Sequence, residues 1–211
     1  MAQFRRGAPR YTFTAVPPRR RVLTFTAVAV IAIVVAVVLD RWAYDHVVWA
    51  RIYETDGGRM LRILGFWPTW AIVALGVWLQ ERGAVANAGR RALLVAGSPA
   101  LTGILCELMK LVLRRERPEA HAGDYIFRAF SERPFSTGGL ALPSSHTMVA
   151  FGAAMALSSL FPRAKWLWFA LAAGCALSRV LARAHFLSDV VVGAAAAIAA
   201  AAWLERKIAR A

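Results

Sequence analysis

Not one charged residue lies between Val22 and Leu39. A run that long and apolar suits a helix crossing the hydrocarbon of a bilayer, which takes about 20 such residues. Five more mostly apolar blocks follow, at about Met60–Gln80, Ala92–Leu113, Ser144–Phe161, Lys165–Ala182 and Phe186–Leu204. Together they raise the apolar share of the chain to 59%, against roughly 45–50% in ordinary soluble domains. The expected fold class is therefore all-α, an integral membrane bundle of six transmembrane helices.

Residues 1–21 are Arg-rich, contain Pro and show no apolar periodicity, so they read as a disordered cytoplasmic tail, and 22–211 as one membrane domain. Arg19, Arg20 and Arg21 ahead of the first block resemble the opening of a signal peptide. The run is long for one, however, and no small-residue cleavage pattern precedes Asp40, so retention as a helix is expected. Pro99, with Gly97 and Ser98 beside it, is expected to kink the third block. Segment 114–143 is polar and rich in Gly and Pro. It reads as the longest loop, lying at the membrane surface, with room for a short interfacial helix. The aromatic residues at Trp42, Tyr44, Trp49 and Tyr53, and the tryptophans Trp67, Trp70, Trp166 and Trp168, read as an interfacial belt. The small residues from Gly193 to Ala202 should let the last helix pack closely.

Lys and Arg set the orientation. Segments 1–21, 81–91, 162–165 and 205–211 are denser in them than segments 40–59, 114–143 and 183–185. The positive-inside tendency places the first group, and with it both termini, in the cytoplasm. The net charge of +14 also raises nucleic-acid binding, but the arginines flank apolar blocks instead of forming one basic stripe. They read as topology signals and anchors for anionic lipid, and no nucleic-acid partner is expected. Cys106 and Cys175 lie inside apolar blocks, without neighbours at metal-ligand spacing, and read as small buried hydrophobes.

Ionisable groups at membrane depth are costly, so each is a candidate functional residue. Lys110 ends the third block and Arg117 follows it. His146 opens the fourth block, Arg179 ends the fifth, and His185 and Asp189 open the sixth. An alternating chain brings all these ends to one face, the outer one. Three fixed cations without a carboxylate cluster suit a phosphate. Ser144 and amides at a helix start add donors where the helix dipole favours negative charge. Two histidines can divide the work of nucleophile and general acid. Four residues separate His185 from Asp189, which puts them on one helix face if the helix begins by then. A carboxylate there can hold one ring nitrogen protonated and leave the other free to attack.

Lys110 to Arg117-Pro118 spells K-x6-R-P. Pro143-Ser144-Ser145-His146 spells P-S-S-H, and Ser178-Arg179, His185 and Asp189 spell S-R-x5-H-x3-D. In this order they resemble the three-part signature of the type-2 phosphatidic acid phosphatase (PAP2) family. The resemblance implies a membrane lipid phosphatase acting through a phosphohistidine. His185 would attack phosphorus, His146 would protonate the leaving alkoxide and then activate water, and Asp189 would orient His185. Lys110, Arg117, Ser144, Ser145 through its amide, and Arg179 would hold the phosphate oxygens. No metal and no cofactor are implied. The substrate would be phosphatidic acid, phosphatidylglycerol phosphate or a polyprenyl pyrophosphate, reached sideways from the outer leaflet of a bacterial plasma membrane, with the site on the periplasmic side. A lipid phosphotransferase using the same site, and a non-enzymatic protein with a relict signature, are the alternatives. Ser145 stands where the family has Gly: harmful if that position needs positive φ, harmless if it takes an ordinary helix-start conformation.

Other ionisable residues read as structural. His46 and His121 fall outside the motifs. Glu107 is placed to pair with Lys110 three residues on. Arg114, Arg115, Arg128 and Arg183 read as solvated or headgroup-facing.

Overall fold

The computed structural model describes residues 19–210, so the expectation of a disordered tail lies outside the described residues up to position 18. Arg19, Arg20 and Arg21 already belong to the first helix, α1 (Arg19–His46). It outruns the expected span because nothing after Leu39 breaks it, and Arg41 pairs with Asp45 one turn on at 3.0 Å. Most of α1 is exposed. Its buried residues are Ala36, Asp40 and Ala43, which recur at helical spacing, and α1 packs on the last helix.

The second expected span is broken. It forms α2 (Asp56–Ile63) and α3 (Trp67–Glu81), bent by 72°. Gly65 and Pro68 sit at the break, and Phe66 is extended there. The Trp70 indole donates to the Leu64 carbonyl at 2.8 Å, satisfying a backbone group in the bend. Trp70 is thus a buried core residue, not part of an interfacial belt.

Next come α4 (Ala88–Leu113), α5 (Ser145–Leu160), α6 (Lys165–Leu181) and α7 (Leu187–Arg210). The described residues are helical apart from turns, loops and two isolated bridges, Arg115 with Phe127 and Glu116 with Leu140. Helices α1, α4, α6 with its leading turn, and α7 are long and apolar enough to cross a membrane, and the bent pair would make a fifth. The remaining helix, α5, has 16 residues, roughly 24 Å at 1.5 Å each, short of a full hydrocarbon crossing. It is the centre of the bundle, packed on α4, α6 and α7 with most of its residues buried. Gly152 makes the α4 approach possible: a Cβ there would meet Thr102 Oγ1 at 2.4 Å. The small residues of α7 do the same service, and Ala197 and Ala201 are fully buried. Cys106 and Cys175 are buried and unpaired.

The loop between α4 and α5 is folded, with a short 3-10 turn at Pro118–His121. Arg114, Arg115 and Arg128, expected to be solvated or headgroup-facing, are turned inward instead. Arg114 is 1% exposed and donates to the carbonyls of Arg128 (3.0 Å), Ala129 (2.8 Å), Glu132 (2.5 Å) and Pro134 (3.4 Å). Five guanidinium N–H groups suit that task, since a loop dense in carbonyls needs donors. Arg128 pairs with Glu116 at 2.7 Å, and His121 contacts the other Glu116 oxygen at 2.5 Å. Arg183 lies over the Tyr44 ring and donates to its carbonyl.

Candidate active site

Two helix starts meet at the centre of the site. The Ser144 amide, preceding α5, donates to the Asp189 carbonyl in the first turn of α7 at 3.2 Å. His146 is one residue inside α5, and His185 is two residues ahead of α7. Each imidazole lies within electrostatic reach of the other, and Lys110 and Arg179 face both. Residues from four separate elements are therefore close enough to act on one another.

Asp189 is the third residue of α7, and its Oδ2 accepts the Phe186 amide at 2.8 Å, half of a capping box. The same oxygen stands 3.5 Å from His185 Nδ1. That is too long for a hydrogen bond, and Nδ1 has no partner. Such contacts often tighten only when substrate is bound. His185 is 3% exposed, and its burial pushes the imidazole down to about 4. A neutral ring with Nδ1 toward a carboxylate leaves Nε2 free.

Several buried donors at this place have no protein partner. They are Ser144 Oγ, Arg117 Nε and Arg179 Nε. Buried donors are normally satisfied, so the free Nε of Arg179, whose charge acts on both imidazoles, fits an anion. The first-turn amides of α5, free of intrahelical partners, add to it. Arg179 is held by Tyr53, whose hydroxyl accepts from Nη1 at 2.8 Å and donates to the Ser178 carbonyl at 3.0 Å. Two guanidinium groups lie against the Tyr53 ring, Arg62 at 5.0 Å and Arg179 at 5.4 Å. Arg117 is half-buried, with Glu119 3.7 Å away.

Ser145 is the first residue of α5 and does not take positive φ. Its hydroxyl accepts from Lys110 Nζ at 2.5 Å and donates to Glu107 Oε1 at 2.7 Å. Glu107 also pairs with Lys110 at 3.2 Å, as their spacing implied. The serine thus adds a fixed contact to the lysine.

Residues 91–210 match the family model of the PAP2 superfamily. The chain belongs to this superfamily. Two curated proteins with the same printed name, the lipid A 1-phosphatases of Rhizobium etli and Rhizobium johnstonii, are each 41% identical to it over 98 residues. That stretch is 44% of this chain and 40% and 38% of the two relatives, so it spans well under half of either. No solved structure matches the chain. The PAP2 match contains every candidate residue, from Lys110 to Asp189.

Sequence reasoning missed several residues around them. Gly65 is one: a Cβ there would lie 2.5 Å from His146 Cβ and 2.6 Å from its Cα. The α2–α3 break is thus the floor against which His146 rests. Tyr53 gave no signal beyond its aromatic character. Asp40 did: it is a carboxylate closing an apolar run, which is expensive in a membrane unless partnered. Among the described residues no three His, Cys, Asp or Glu side chains are grouped to hold a metal ion.

Proposed function

We propose that this PAP2 protein is a membrane lipid phosphatase that hydrolyses a phosphomonoester, or the terminal phosphate of a pyrophosphate, through a phosphohistidine at His185. The observation that carries the reading is Arg179, whose buried Nε has no protein partner and whose charge, with that of Lys110, acts on both His146 and His185.

Nε2 of His185 attacks phosphorus while the bond to the lipid oxygen breaks. His146 gives that oxygen a proton, so the lipid leaves as an alcohol. The His185 ring is now cationic, and its Nδ1 proton is directed at Asp189. His146, neutral after its donation, takes a proton from water as the water oxygen attacks phosphorus. The P–N bond breaks and inorganic phosphate leaves. Lys110, Arg117, Arg179, Ser144 and the Ser145 amide hold the equatorial oxygens, whose charge rises in the transition state. This chemistry calls on no metal, so a chelator should leave the rate unchanged.

Cytoplasmic termini and a site at the periplasmic face of a bacterial plasma membrane accord with the Lys and Arg distribution. Leu108, Val112 and Leu113, exposed on α4 near Lys110, suit acyl chains beside the phosphate. The substrate class includes phosphatidic acid, phosphatidylglycerol phosphate and polyprenyl pyrophosphate. The names of the two Rhizobium relatives add the 1-phosphate of lipid A. The test is phosphate release by purified protein in detergent across these four lipids, with and without chelator. Release from at least one lipid, abolished by His185→Ala, supports the reading. Transfer to an acceptor without free phosphate would make the protein a phosphotransferase, and no turnover of any lipid would refute the reading.

A further inference from the structure

Asp189 has a second set of partners that lies behind the phosphate cradle. Its Oδ1 receives Nη2 of Arg115, a residue 4% exposed. The same Nη2 reaches Ser188 Oγ at 2.8 Å. Ser188 gives its hydroxyl proton to Asp40 Oδ2 and its amide to Asp40 Oδ1, the latter at 2.7 Å. Tyr125 donates to Asp40 Oδ2 at 2.5 Å, and burial together with Asp40 pushes that phenol up to about 12, so it remains a donor. The Arg115 guanidinium is walled by the Tyr125 and Phe186 rings, each 5.0 Å from Cζ. Asp40 is 2% exposed on a helix that is mostly exposed.

A buried carboxylate on a lipid-facing helix is costly, and an arginine locked by two rings loses much side-chain freedom. Both costs are met at the one place where α7 begins and His185 is aimed. We propose that Arg115 and Asp40 are positioning residues that hold the Asp189 carboxylate in line with His185 Nδ1. Arg115 fixes one oxygen of Asp189 and leaves the other for the imidazole. Asp40 fixes Arg115 through Ser188 and pins the first turn of α7. This rests on His185 being the nucleophile.

The two residues carry opposite charges, which gives a test that a structural role would not pass. Besides Asp189, the charged and titratable groups facing His185 are Arg179 from α6, Lys110 from α4 and His146 from α5. These are untouched in every variant. Removing the cation in Arg115→Gln strengthens the net negative field on His185 and moves the acid limb of kcat/KM to higher pH. Removing the anion in Asp40→Asn moves the limb to lower pH. Arg115→Lys restores the limb but not the orientation, because a point charge cannot make the fork. In all three kcat falls by about 10-fold or more, the usual scale for losing an outer partner of a reacting group, and KM changes little. Tyr125→Phe removes one hydroxyl and no charge. It serves if the charge variants do not fold: kcat drops by about 3-fold, the equivalent of a hydrogen bond worth roughly 0.7 kcal/mol, with an unmoved limb. Wild-type protein and His185→Ala are run beside them. If His185→Ala is inactive while every folded network variant keeps wild-type kcat and limb position, the positioning role is refuted and the nucleophile stands. If His185→Ala keeps activity, the nucleophile assignment fails instead. Limbs moving in the same direction in Arg115→Gln and Asp40→Asn would also overturn the proposal.

Discussion

The Ser144 amide donates to the Asp189 carbonyl across 3.2 Å, and this bond joins the turn before His146 to the helix after His185. Residues 45 positions apart in sequence thus share one backbone contact. The two imidazoles are brought together by main chain, which side-chain substitutions do not remove. Variants at the reacting residues should therefore fold and fail in chemistry.

Arg179 exemplifies this. Its guanidinium is oriented by Tyr53, and its Nε has no protein partner. Arg179→Ala should lower kcat by about 10²–10³, or roughly 3–4 kcal/mol of activation energy, the scale for one preorganised donor to a developing charge. Tyr53→Phe should cost less, because the guanidinium stays and only its aim loosens. Steady-state phosphate release checks both.

Gly65 sets the position of His146. Gly65→Ala would place a Cβ 2.5 Å from the His146 Cβ, so one of the two backbones must shift. A displacement near 1 Å at a reacting group costs about 100-fold. The expected result is a variant that folds with reduced kcat, and Gly76→Ala, where a Cβ meets nothing within 4 Å, should retain wild-type activity.

Arg114 holds the α4–α5 loop by donating to four carbonyls. Arg114→Ala strands those acceptors and should destabilise the protein by about 3 kcal/mol or more. A lowered melting temperature and faster proteolysis between residues 114 and 143 would show it.

Glu116 gives the loop a pH dependence. Hydrogen bonds from Arg128 and His121 hold its carboxyl below the usual carboxylate range. A depressed folded-state value means stability is fully present above the ordinary carboxylate pKa and is lost as pH falls through the lowered one. Melting temperatures measured from pH 6 down to about 3 should fall less steeply in Glu116→Gln than in wild type. Parallel curves would contradict this.

The helical fold class was legible in the sequence, and so were the candidate site residues. Lys110, Arg117, His146, Arg179, His185 and Asp189 stood out because ionisable groups at the ends of apolar blocks are rare and costly. Hydropathy counts length and polarity alone, so it merged α2 with α3 across a bend made by Gly65 and Pro68. It also drew α5 as an ordinary span when it is a short central helix. The arginines of the loop were misplaced for a related reason. Composition cannot distinguish a guanidinium facing headgroups from a buried one, and Arg114, among carbonyls, and Arg115, against the Asp189 carboxylate, are both buried. Asp40 was visible, but its partner Ser188 lies 148 positions away, a pairing that no local pattern encodes.

The most direct measurement is rapid acid-free quenching of the purified protein with a ³²P-labelled lipid phosphate, followed by analysis of label on the chain. Wild type should carry acid-labile, base-stable phosphate on His185, and His185→Ala should carry none. Label on His146 or on another residue, or undiminished labelling in His185→Ala, would contradict the assignment of His185 as the nucleophile.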